Sequence, residues 1–259
     1  MRALIDTMPL WGVLASTIII VWGSTELGYR SGLNRRNAVG FDNEAQVNAM
    51  TGAHLGLLAF ILAFSFNMAA GHFDARKQVI IDEANAIGTA YLRTRLVEGP
   101  SAEQLRTLLR KYTDLRSSAM TEATVDVVIR ESEATLDQMW QLATEYSKGD
   151  RVTVMHSLVI PSINAIYDIH QQRLYAGVRN RIPASIWLSL YVVLILSMVG
   201  MGFNSGIKGS RSPMPSAALA LSFSMVLFLI ADLDRPKAGL LTADQSFLQD
   251  LSEQLQQAE

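Results

Sequence analysis

Four stretches of the chain are almost purely apolar, and each is close to the length of a bilayer crossing. They cover residues 8–28, 52–71, 183–203 and 215–231. A helix needs about 20 such residues to span the hydrocarbon core. None of the four carries a charge near its centre, and Glu26 stands at the end of the first. The pattern predicts four membrane-spanning helices. The first apolar run is too long for a signal-peptide core, and no small-residue cleavage site follows Ile18, Ile19, Ile20, Val21 and Trp22, so it is expected to be retained.

Between the second and third spans the pattern changes. Residues 72–182 are polar and rich in Ala, Leu, Glu, Arg and Gln, with few glycines and prolines, which predicts helices. The second span shows no break where it leaves the apolar region, so one helix should continue to about Val97. "EGPS" (Glu98 to Ser101) interrupts it. Ser101 with Gln104 reads as a capping box for a helix over 102–118. Another is expected over 121–147, with Val125, Val128, Ile129, Leu136, Met139, Trp140, Leu142 and Ala143 apolar. Asp150 is a plausible N-cap for a last stretch over 151–181, which Pro161 should kink or split. Pro183 then opens the third span at a favourable first-turn position. After the fourth span, Pro236 ends the helix. A final helix starting at Thr242 or Ala243 would align Phe247, Leu248, Leu251 and Leu255 in one stripe. That stripe lacks the basic face of a lipid-binding helix, so protein contact is expected.

These elements give an all-α, polytopic membrane protein with four transmembrane helices and a helical cytoplasmic domain inserted between helices two and three. The expected divisions are 1–71, 72–182, 183–231 and 232–259. An even number of spans puts both termini and the insert on one side. Eight basic residues flank the spans there (Arg2, Arg76, Lys77, Arg173, Arg179, Arg181, Arg235, Lys237), against five on the other side (Arg30, Arg35, Arg36, Lys208, Arg211). This bias favours cytoplasmic termini and a cytoplasmic insert.

Composition removes several classes of chemistry. The chain has 259 residues, a formal charge of −2 and no cysteine. Disulfides, thiolate metal sites and cysteine nucleophiles are excluded, and nothing suggests nucleic-acid binding. His54, His72, His156 and His170 have no metal-ligand spacing, and no phosphate loop or nucleophile elbow occurs. Asp82, Glu83 and Asn85 cluster in water-facing register. Asp82 and Glu83 are adjacent on a helix and diverge by about 100°, so they do not form an acid–base pair. No enzyme activity, cofactor or metal is expected.

The second span carries the most informative faces. Gly52, Gly56, Ala59 and Ala63 share one of them, a small-residue pattern that lets helices approach closely. Phe60, Phe64 and Asn67 form a neighbouring stripe, with Leu57, Ile61 and Met68 beside it. If several copies surround an axis, rings at i and i+4 would make a hydrophobic constriction; otherwise they face lipid or other helices. At the span ends, Asp232, Asp234, Arg235 and His72 are candidate pore-mouth or interface charges, with a structural clamp as the plainer reading. Gly88, inside a predicted helix, suggests close approach by another helix.

The segments "LAFSFNMAAGHFDARKQVIIDEANAIGTAYLR" and "DLDRPKAGLL" resemble a bacterial bestrophin-like family of unknown function, and the resemblance covers most of the chain. It extends more distantly to the bestrophins, pentameric anion channels with four spans, a helical cytosolic domain between spans two and three, and an apolar neck on span two. That resemblance implies a homo-oligomeric, anion-conducting channel in the bacterial inner membrane, a pentamer. The neck would lie at Phe60 and Phe64 with Leu57, Ile61, Asn67 or Met68. Its partners would be the lipid bilayer, other copies of the chain and an inorganic anion. No acidic cluster matches the bestrophin calcium clasp, and the insert is short. The competing expectation is a non-conducting membrane-anchored scaffold or sensor whose helical domain binds a partner, with Phe60 and Phe64 packed inside one subunit.

Overall fold

The computed structural model describes residues 8–38, 44–118, 124–146, 154–209, 213–235 and 239–257, and these are helical apart from short connections. The helices are α1 (Leu10–Ala38), α2 (Glu44–Thr94), α3 (Pro100–Ser117), α4 (Val125–Tyr146), α5 (Val154–Leu174), α6 (Ala184–Lys208), α7 (Pro213–Asp234) and α8 (Ser246–Gln257). A π-helical turn at Tyr175–Arg179 follows α5. Four helices are long and apolar enough to cross a membrane: α1, α2, α6 and α7. α2 is a single helix of 51 residues, about 75 Å long, so its apolar half and its charged half are one element.

The chain divides into two compact units, Met1–His72 with Arg181–Leu241 and Phe73–Asn180 with Thr242–Glu259. In the first, α1 and α6 meet through glycines. Gly28 and Gly32 lie against the backbone of Val199 and Phe203, while Gly202 and Gly206 lie against that of Thr25 and Tyr29. A Cβ at any of the four would overlap a carbonyl oxygen of the other helix. Two small-xxx-small motifs therefore face each other, so the two backbones can touch. The hydroxyl of Ser197 on α6 donates to the carbonyl of His54 on α2 at 3.2 Å, and Thr17 and Tyr191 share a hydrogen bond of 3.0 Å.

In the second unit, α3, α4, α5, α8 and the later part of α2 enclose one core. It contains Ile80, Ile87, Leu105, Leu109, Leu136, Met139, Ile163, Ile166 and Leu248. The stripe of α8 is covered by this core: Leu248 and Leu255 are buried and Leu251 is partly so. Phe247, expected on the same stripe, is exposed. Leu251 Cδ1 also passes over Gly88, where a Cβ would sit at an ordinary 3.7 Å, so no close helix approach requires that glycine.

Several boundary expectations change. Pro100 takes the first position of α3 and Gly99, at φ 117°, precedes it. Ser101 is thus inside the helix and caps nothing, because a proline at N1 already supplies the helical start. α8 begins at Ser246, with Asp244 accepting from the Ser246 N–H at 2.9 Å. α5 remains one helix through Pro161. Its irregularity lies later, where the Asn180 N–H reaches the Tyr175 carbonyl at 2.9 Å, one residue beyond α-helical spacing. Asp150 and Pro236 lie outside the described residues, as does the side chain of His156.

Candidate functional site

Span two has a buried side and an open side. Leu58, Leu62, Ser65 and Ala69 recur at helical spacing and are buried. On the opposite face Phe60 is 70% exposed, Phe64 55% and Leu57 48%. Gly52, Gly56, Ala59, Ala63 and Asn67 are exposed as well, while Ile61 and Met68 are half-buried. A Cβ added at Gly52 or Gly56 would meet no atom within 4 Å. Among the described residues the small-residue face is therefore left open, and Phe60 and Phe64 are exposed rather than packed inside one subunit. The glycines used for close approach within the chain are those of α1 and α6. Their G-x-x-x-G spacing, at residues 28–32 and 202–206, is the sequence signal for this contact.

The charges after span four form an inward-facing clamp. Asp234 Oδ1 accepts from the Ile182 N–H at 2.9 Å, and Asp234 Oδ2 accepts from Arg181 Nε at 3.1 Å. His72 Nδ1 stands 3.7 Å from Asp234 Oδ1. Asp232 Oδ1 accepts from the Leu240 N–H at 2.6 Å, and Arg235 donates to the Met8 carbonyl at 2.6 Å. Asp232, Asp234 and Arg235 are all buried. Their partners lie within the chain, so the geometry is that of the structural clamp.

A second polar centre escaped the sequence reading. Glu83, expected to face water, is fully buried. Its Oε1 accepts from Arg116 Nε at 2.9 Å and from the Tyr112 hydroxyl at 2.7 Å. Its Oε2 accepts from Arg173. His170 Nδ1 lies 3.2 Å from the Tyr112 oxygen, and its Nε2 is 4.0 Å from Glu133 Oε1, beyond hydrogen-bond reach. One carboxylate thus joins α2, α3 and α5. Burial pushes the Glu83 carboxyl up, but the Arg116 and Arg173 guanidiniums outweigh it and hold it below its ordinary value. Burial, with Arg116 beside it, pushes His170 down to about 4. The signal was its position: Glu83 shares a helical stripe with Ile80, Ile87 and Tyr91, all buried. Among the described residues, no group of three or more His, Asp or Glu side chains could hold a metal ion.

A crystal structure of a membrane protein shares the fold, with a TM-score of 0.60, 13% identity, and coverage of 93% of this chain and 98% of that one. No curated protein matches significantly. The model of the bestrophin-like domain matches residues 28–246, which takes in three of the four spans whole and the end of the first. The chain is a member of the bestrophin-like family.

Proposed function

We propose that this protein is an oligomeric ion channel of the bacterial inner membrane, with its neck at Phe60 and Phe64 on span two. The observation that carries the reading is the open face of that span. Two phenyl rings one turn apart stand out from the chain, on the side opposite its buried residues. Gly52 and Gly56 beside them leave room for another helix. Around an axis the rings would form an apolar constriction that gates by dewetting, and Asn67 would supply a polar step next to it. Leu57, Ile61 and Met68 would flank the neck. Gly52, Gly56, Ala59 and Ala63 would seat the neighbouring copy.

The family supports the oligomer and its bestrophin kinship favours a pentamer conducting inorganic anions. The charge bias supports cytoplasmic termini and a cytoplasmic helical unit. The scaffold reading needs Phe60 and Phe64 packed within one subunit, and both are exposed. Subunit counting tests the proposal. Electron-microscopic class averages of the detergent-extracted protein should show a closed ring of copies around an axis. A monomer or a simple dimer removes the pore.

A further inference from the structure

Between the middle of α1, the end of α6 and the start of α7 a cavity of about 510 Å³ opens among Trp22, Glu26, Tyr29, Arg30, Ser205 and Ser216. Its depth can be read along three helices from a common level. Arg235 holds the carbonyl of Met8, just before α1, and Asp234 at the end of α7 holds the N–H of Ile182, just before α6. From that level Glu26 is about 24 Å along α1, Ser205 about 32 Å along α6 and Ser216 about 27 Å along α7. The hydrocarbon core is about 30 Å thick. With that level taken as one face of the hydrocarbon core, these distances bracket its opposite edge, where acyl chains give way to headgroups.

Its chemistry is two-signed. Arg30 Nε donates to Glu26 Oε1 at 2.8 Å. The Glu26 side chain is 22% exposed and that of Arg30 73%, so the far ends of the guanidinium remain open to a second acceptor. Trp22 and Tyr29 add aromatic faces, and the Ser205 hydroxyl, which donates to the Met201 carbonyl at 3.1 Å, presents only its oxygen as an acceptor. A simple anion would be repelled by the carboxylate and a simple cation by the guanidinium. A group carrying both signs fits: an ammonium against Glu26 and the rings, and a phosphate against Arg30. Towards the membrane middle, α1 exposes Ile19 and Trp22, and α7 exposes Leu221 and Met225, apolar surface for acyl chains.

We infer that this cavity binds the headgroup of an ammonium-bearing phospholipid of the phosphatidylethanolamine type. The protein is reconstituted into nanodiscs holding phosphatidylethanolamine and phosphatidylglycerol in equal parts, and native mass spectrometry counts each lipid retained per protomer. Phosphatidylethanolamine is retained about tenfold over phosphatidylglycerol, and both Glu26→Gln and the cavity-filling Ala217→Trp abolish the preference while circular dichroism shows unchanged helix content. Equal retention of the two lipids by the wild-type protein overturns the inference, whatever the variants do. So does undiminished preference in both folded variants. Soluble phosphoethanolamine that displaces the lipid at equal concentration shows that the acyl chains contribute nothing, assigns the site to a free aminophosphate and overturns the lipid assignment.

Discussion

Arg116 Nε donates to Glu83 Oε1 at 2.9 Å, and neither side chain reaches solvent. Removing one partner of such a pair strands the other's charge, which costs about 3–5 kcal/mol. Glu83→Gln leaves two guanidiniums around a neutral amide and should lower the melting temperature of the helical unit sharply. Half-buried Asp82→Asn, one residue away, should not. Thermal melts followed by circular dichroism compare them, and equal melting temperatures would contradict the clamp.

The same centre makes stability depend on pH in two stages. His170 has a folded pKa of about 4, against about 6.5 when unfolded. The unfolded chain therefore takes the proton first, and stability falls as pH drops from about 6.5 towards 4, by an amount on the order of 3 kcal/mol. Glu83 is held below its ordinary value, so its contribution is present above about pH 4.5 and is lost only below that. His170→Gln should flatten the first stage and leave the second. A stability–pH profile that is the same in both proteins would contradict this.

Close helix approach in the first unit is a matter of four glycines. Gly202→Ala puts a methyl group into the Thr25 carbonyl, and overpacking of this kind costs about 1–3 kcal/mol or more. Gly23→Ala, with nothing within 4 Å of the added carbon, should cost nothing, or add a little stability through helix propensity. Thermal stability in detergent separates the two.

The C-terminal helix is held by its buried leucines and by Ser252, whose hydroxyl donates to Asp114 Oδ1 at 2.5 Å. Leu248→Ala should cost about 2–5 kcal/mol and loosen α8 before the rest of the unit. Hydrogen exchange at Ser246–Gln257 should speed up in that variant while α3 stays protected.

Much of this was readable from periodicity. Four long apolar runs give four spanning helices, and the stripe of α8 announced a covered face. Glu83 was not readable as a buried charge, because its partners lie 29, 33 and 90 residues away. No local pattern reports that two arginines and a tyrosine will converge on one carboxylate. Gly28 and Gly202 likewise owe their importance to a helix far along the chain. Ser101 misled because Pro100 beside it starts the helix first. Phe60 and Phe64 could be seen as a stripe, but only the fold shows that their own chain leaves them uncovered.

That open stripe is tested most directly by halide flux into proteoliposomes, with protein-free liposomes as the control. The wild-type protein should carry halide above the control, and Phe60→Ala or Phe64→Ala, by widening the neck, should increase it. Flux no greater than the control in the wild type and in both variants, across pH and calcium concentration, would contradict the channel.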